Sequence, residues 1–81
     1  MIPIIYAKIG EELELAQINA GRGLTKMLYE MGIYPGVHLR VITNPGEGPI
    51  IVEVNGVRFG LGRGIAMKLF AVEVSENRQK I

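Results

Sequence analysis

The segment LYEMGIYPGVHLRVI, residues 28–42, constrains the fold of this chain more than any other part of the sequence. It begins inside a helical pattern, because apolar residues just before and within it follow the i, i+3, i+4, i+7 spacing of one helix face. These residues are Leu24, Met27, Leu28 and Met31. Gly32 then ends the predicted helix, since glycine adopts the left-handed C′ conformation without steric cost. A helix therefore stops abruptly at this point.

A tight turn and a strand follow the helix. Pro35-Gly36 predicts a type II turn, because proline fixes φ at the second position and glycine accepts a positive φ at the third. Ile33, between the two glycines, is expected to enter the core. After the turn the period changes to two, which predicts a strand over residues 37–42. The segment thus packs a helix against a sheet without supplying any nucleophile.

Alternating apolar residues predict four further strands, over residues 13–18, 50–54, 57–61 and 70–74. Asn55-Gly56 joins two of them as a hairpin, and residues 62–69 are typical of a short helical turn. About five short strands, one helix and one helical turn predict a mainly β fold, a small closed or nearly closed barrel. We expect one domain over residues 1–74 and a polar C-terminal tail over residues 75–81.

Composition excludes several classes of protein. The 81-residue chain has no cysteine, which rules out disulfides and thiolate zinc sites. A net charge of +1 argues against the strongly basic face of a dedicated nucleic-acid binder. No apolar run approaches the roughly 20 residues of a membrane span. We expect a soluble protein that stays where it is made.

Neither catalysis nor cofactor binding is predicted. His38 is the only histidine, so the three or four convergent ligands of a transition-metal site are missing, and an exposed strand position is its better interpretation. The chain has no G-x-x-x-x-G-K-[ST] loop for nucleotide phosphates. A nucleophile, base and orienting acid cannot be assembled from the residue types present. We predict no enzyme activity, no cofactor, and no useful affinity for nucleotide or transition metal.

One internal similarity stands out. GRGLTKML at 21–28 and GRGIAMKL at 62–69 both place Gly-Arg-Gly before a helical segment. A helix N-terminus beside an arginine can hold an anion. Chance combined with a shared strand-to-helix geometry is the interpretation we favour, because helix starts reuse few residue types.

The sequence resembles the FeoA family of ferrous iron transport accessory proteins. The first matching motif, the corner, consists of Leu28, Met31, Gly32, Ile33, Pro35 and Gly36. The second consists of Leu61, Arg63, Ala66, Leu69 and Val72, displaced by one strand position at Phe70-Ala71. The match in order and spacing covers residues 5–74. The first motif is fairly specific, whereas the second alone would be weak.

The resemblance implies an SH3-like small barrel in the cytoplasm, with no activity of its own. It further implies a role in iron homeostasis through protein–protein interaction with the cytoplasmic region of FeoB, the membrane ferrous iron transporter. The family also carries a general association with transition metal ions. Neither membrane insertion nor nucleic-acid binding is expected, and the sequence leaves homo-oligomerisation open.

Two alternatives remain at this point. The same domain type forms the C-terminus of metal-responsive repressors, and small barrels with a basic aromatic face bind nucleic acids. For the transport role, we predict a partner-binding patch on and beside the helix, because tyrosine and arginine often anchor interfaces. Its members are Arg22, Lys26, Tyr29, Tyr34 and Arg63. The loop around Pro45 to Pro49 is the alternative contact region.

Overall fold

The computed structural model describes residues 1–74 of the chain. Two helices, six strands and one 3₁₀ turn follow one another along these residues. In chain order they are β1 (Ile2–Pro3), the 3₁₀ turn (Ile4–Tyr6), β2 (Glu12–Ile18), α1 (Arg22–Glu30), β3 (His38–Thr43), β4 (Ile50–Val54), β5 (Val57–Leu61), α2 (Arg63–Ala66) and β6 (Leu69–Glu73). The predicted tail, 75–81, lies outside the described residues.

The strands form one antiparallel sheet in the order β1-β6-β2-β3-β4-β5. The mainly β prediction is confirmed, and each of the five predicted strands is present to within one residue at either end. The predicted number of strands, about five, is one too low, because the sequence pattern does not predict β1. A strand of two residues, one of them Pro3, shows no alternation, so only its pairing with Phe70 and Ala71 identifies it.

Alternation along the strands places the core between the sheet and the helices. Leu13 and Leu15 of β2 are fully buried, while Ala16 is exposed. The alternation that predicts β6 does not give its inward face, since Phe70 is only partly buried and Val72 is exposed. Leu69 and Ala71 are the buried ones, because Ala71 stands directly opposite the buried Leu15 and so shares its face.

Helix α1 ends in a Schellman motif, as the glycine predicted. Gly32 has φ = 88°, its N–H donates to the Tyr29 carbonyl, and the Ile33 N–H donates to the Leu28 carbonyl at 2.8 Å. Leu28 and Ile33 are both fully buried, which supplies the apolar contact that accompanies this motif. The interpretation of Ile33 as a core residue is confirmed.

The two predicted turns are also present. Gly36 has φ = 101°, and the Val37 N–H donates to the Tyr34 carbonyl across Pro35-Gly36. Asn55 and Gly56 both have positive φ, 52° and 82°, as a type I′ hairpin between β4 and β5 requires. The helix stripe is narrower than predicted, because Met27 is 44% exposed whereas Leu24 and Met31 pack partly against the core.

Candidate functional site

A pair of exposed tyrosines lies where α1 turns into β3. Tyr29 is on the last turn of α1, and Tyr34 follows the Schellman motif. The turn brings their rings together, with centroids 5.5 Å apart and planes tilted by 30°. The two residues remain 51% and 41% exposed. Two large rings are thus held in place at the surface by a rigid backbone, which reduces the entropy they would lose on binding.

A shallow groove of about 480 Å³ adjoins Tyr34. Its walls come from the corner, the start of β3 and the β4–β5 hairpin. The lining residues are Tyr34, Pro35, Gly36, Val37, His38 and Asn55. The groove therefore combines an aromatic ring, a proline ring and the polar groups of His38 and Asn55. We call Tyr29, Tyr34 and this groove the corner surface.

The basic residues of α1 point to solvent. Arg22 and Lys26 are both exposed, and Lys26 Nζ lies 3.9 Å from Glu30 Oε2, one helical turn further on. Both side chains in that pair are mostly exposed, so the pair adds at most about 0.5 kcal/mol. Arg22 and Lys26 share α1 with Tyr29, so four of the five predicted patch residues lie on the helix or at its C-terminal corner.

Arg63 does not join the other predicted residues. Its guanidinium donates to Asn44 Oδ1 at 3.3 Å and to the Gly48 carbonyl at 3.5 Å. Asn44 follows the last residue of β3, whereas Tyr34 precedes the first, so the six-residue strand separates the two regions. A strand of that length spans roughly 17–20 Å. The structure therefore divides the predicted patch into the corner surface and a separate Arg63 site.

Asn44 holds three segments together, and sequence reasoning did not identify it. Its Nδ2 donates to the Ile5 and Ala7 carbonyls at 3.0 and 2.8 Å, while its Oδ1 accepts from Arg63. The side chain thus connects the N-terminal 3₁₀ turn, the β3–β4 loop and α2. In the sequence Asn44 stands before Pro45 within a cluster of turn residues, a position that gives no sign of these partners.

A row of alternating charges crosses the outer face of β2 to β5. Glu12 stands opposite Arg40, Arg40 opposite Glu53, and Glu53 opposite Arg58. Arg40 Nη2 donates to Glu12 Oε2 at 3.0 Å, and Arg58 Nε lies 3.8 Å from Glu53 Oε1. We call these four residues the charge row. Polar residues at every second strand position carried this signal in the sequence, but only the register shows which ones meet.

Metal-binding side chains do not cluster in the part of the chain that the structure describes. Over residues 1–74 no three His, Cys, Asp or Glu side chains are placed to hold one ion. His38 is exposed, as predicted, and its Nε2 lies 3.7 Å from Glu14 Oε1. These two groups form a cross-strand polar pair on the sheet face. Within the same residues, no helix is long and apolar enough to cross a membrane.

The sequence matches the model of one protein family, described as the FeoA domain, over residues 3–73. A relative from Methanocaldococcus jannaschii, named "Putative Fe(2+) transport protein A", is 44% identical over 69 residues. The aligned part covers 85% of this chain and 83% of that protein.

Solved structures share the fold. A crystal structure of an iron uptake regulatory protein (FeoA) matches with a TM-score of 0.81 at 30% identity, over 90% of this chain and 96% of that one. The Stenotrophomonas maltophilia FeoA complexed with zinc, described as a procaryotic SH3 domain protein, matches with a TM-score of 0.77 at 19% identity, over 89% and 91% of the two chains. A manganese-dependent transcriptional repressor matches with a TM-score of 0.81 at 22% identity, over 89% of this chain but 41% of its own. The last two show the fold alone.

Proposed function

Since this chain belongs to the FeoA family, we propose that it is a non-enzymatic cytoplasmic accessory protein of ferrous iron transport. It acts by binding the cytoplasmic region of a FeoB-type membrane transporter. The family model matches residues 3–73, nearly all of those that the structure describes. The residues described offer surfaces for a protein partner and no assembled catalytic group.

The observation that carries this proposal is the corner surface. Tyrosines are enriched in interfaces because one side chain offers apolar area and a directed hydrogen bond. Tyr29 and Tyr34 present both, and the Schellman and type II turns fix their positions before any partner arrives. Arg22 and Lys26, on the same helix, would add electrostatic attraction at the rim of the contact.

The experiment is a binding titration with the purified cytoplasmic domain of the transporter. Tyr29→Ser combined with Tyr34→Ser should weaken binding by at least about tenfold, because two central aromatic contacts are lost. Tyr6→Ser is the matched control: Tyr6 is 69% exposed but lies on the 3₁₀ turn, outside α1 and the corner surface. Its affinity should equal that of the unaltered protein.

The outcomes separate the function from the surface. If the unaltered protein does not bind the domain at all, the proposed function fails. If it binds and the double variant binds equally well, the contact lies elsewhere, and Arg63→Ala then tests the 45–49 loop that Arg63 holds. Arg63→Ala is measured alone, because the structure separates Arg63 from Tyr34.

The repressor module is a second candidate, and the fold match to the manganese-dependent repressor is the observation that favours it. Nucleic-acid binding has less support, because the arginines within residues 1–74 do not form a common basic face. Arg40 and Arg58 lie in the charge row beside carboxylates, and Arg63 lies in the Asn44 site. Salt-sensitive binding to an oligonucleotide would favour that alternative over ours.

A further inference from the structure

The strand β5 is an open edge of the sheet. Its only strand neighbour among the described residues is β4. Val54 and Val57 flank the two-residue turn, and residues opposite each other in antiparallel strands alternate between hydrogen-bonded and non-hydrogen-bonded pairs. Val57, Phe59 and Leu61 therefore bond to β4, whereas the N–H and C=O groups of Arg58 and Gly60 point away from it. Four backbone groups face outward.

The opposite edge of the sheet, formed by β1, does not present such a row of outward backbone groups. There β1 has two residues, and one of them, Pro3, has no N–H to donate. Short strands and prolines are the usual protection against unwanted pairing at a sheet edge. β5 is five residues long and contains no proline, and both Arg58 and Gly60 are exposed. Among residues 1–74, one edge is thus blunted and the other is accessible.

The charge row indicates what chemistry would fit beside β5. Its members alternate strictly in sign from β2 to β5, and it ends on Arg58. Arg58 has the Glu53 carboxylate on its β4 side, at 3.8 Å, and its side chain is 63% exposed. A strand added to β5 would continue the alternation by placing an acidic residue opposite Arg58, where cross-strand pairs of opposite charge are favourable.

The other face of β5 is apolar. Val57 is 52% exposed and Phe59 is only partly buried. An added strand with apolar residues on either side of its acidic residue would cover both side chains. The edge therefore fits an extended segment in which an acidic residue lies between two apolar ones.

We propose that β5 is a docking edge for an extended acidic segment of a partner protein, which pairs antiparallel with β5 and places a carboxylate opposite Arg58. Backbone bonds to Arg58 and Gly60 would supply affinity, and the Arg58 contact would supply specificity. This proposal does not depend on the identity of the partner or on the corner surface.

The test uses the whole chain and a capped peptide, acetyl-Ser-Thr-Val-Glu-Val-Thr-amide, followed by backbone NMR. In antiparallel register the peptide's Glu faces Arg58, and its two Val residues face Val57 and Phe59. The amides of Arg58 and Gly60 should shift and gain protection from hydrogen exchange, whereas those of Val57 and Phe59, already bonded to β4, should change little. Perturbation elsewhere without these two amides overturns the proposal.

A charge exchange tests specificity. Replacing the peptide's Glu by Lys should weaken binding about fivefold or more, since an exposed ion pair is replaced by repulsion. Arg58→Glu should reverse the preference, so that the Lys peptide binds this variant better than the Glu peptide. If both peptides bind both proteins equally, Arg58 does not select the partner and the proposal is wrong.

A backbone variant tests strand addition itself. Gly60→Pro removes one outward N–H while leaving the hydrogen bonds to β4 in place. It should lower the affinity for the peptide about tenfold. Gly60→Ala is the matched control, because a Cβ there would meet Ile51 Cδ1 at an ordinary 3.5 Å, and its affinity should not change. Equal losses of affinity in both variants count against the proposal, and the NMR mapping of the unaltered chain decides it if Gly60→Pro does not fold.

Protection of the Arg58 and Gly60 amides that rises with protein concentration, without peptide, would instead assign the edge to a second copy of this chain and overturn the proposal.

Discussion

The two Gly-Arg-Gly segments begin in the same way and end differently. Gly21 and Gly62 are both N-cap residues with extended backbones, at φ/ψ of −71°/177° and −60°/154°. Each accepts the first helical hydrogen bond, from Thr25 at 3.0 Å and from Ala66 at 2.9 Å. The similarity between the segments therefore corresponds to a shared helix start.

The segments diverge after one helical turn. Helix α1 continues for nine residues to its Schellman motif, whereas α2 stops at Ala66 and the chain enters β6 at Leu69. The seventh residue after each N-cap is nevertheless fully buried, Leu28 in a helix and Leu69 in a strand. Apolar spacing thus determines which residue is buried, while the downstream sequence determines the type of element that carries it.

The largest expected effect tests that equivalence. Leu28→Ala and Leu69→Ala should each lower the free energy of unfolding by about 2–5 kcal/mol, because both leave cavities in the core. The loss at Leu69 should be the larger by a few tenths of a kcal/mol to about 1 kcal/mol, since alanine suits a helix better than a strand. Urea denaturation measures both.

Met27→Ala serves as the control for this pair. Met27 is 44% exposed on the same helix, and its truncation should change stability by no more than about 0.5 kcal/mol. If Leu69→Ala is as mild as Met27→Ala, the two segments are not equivalent in the core.

The second prediction concerns the Schellman motif that ends α1, a motif that α2 lacks. Gly32→Val should destabilise the protein by more than about 1 kcal/mol, because a β-branched residue resists the φ of 88° found there. Thermal unfolding monitored by circular dichroism gives the difference.

Gly23→Ala and Gly64→Ala provide a contrast of opposite sign. These glycines lie in the first turns of α1 and α2, have no positive φ, and have open space where an alanine Cβ would sit, with nothing within 4 Å. Each change should stabilise the protein by about 0.4–1 kcal/mol. A melting temperature unaffected by Gly32→Val would contradict our account of the corner.

The corner could be predicted from sequence because its determinants are local. Gly32, Pro35-Gly36 and Asn55-Gly56 each require a backbone conformation that few other residues adopt, so their turns are readable one at a time. The strands could also be predicted locally, because their apolar residues alternate with a period of two. The inward face of β6 could not be predicted in this way, because Ala71 is buried through its register with Leu15, on a strand more than fifty residues earlier.

The candidate site was only partly predictable. The Tyr29–Tyr34 contact follows from a local turn, but the Asn44 site joins residues 5, 7, 44, 48 and 63. Such contacts depend on how distant segments are brought together by the whole sheet, and residue type alone does not encode them. This is why residue type groups Arg63 with the helix residues although Arg63 lies elsewhere.

The smallest expected effect separates the two arginines that follow Gly21 and Gly62. Arg22 is exposed, so Arg22→Ala should change the free energy of unfolding by less than about 0.5 kcal/mol. Arg63→Ala removes the donors to Asn44 Oδ1 and the Gly48 carbonyl and should cost about 1 kcal/mol. The loss stays modest because both bonds are long and water can reach the loop. Hydrogen exchange gives a sharper measurement: the amides of Gly46, Glu47 and Gly48 should exchange faster in Arg63→Ala and at an unchanged rate in Arg22→Ala. Equal exchange in the two variants would mean that Arg63, like Arg22, does not organise the loop, and that the two segments differ only in how their helices end.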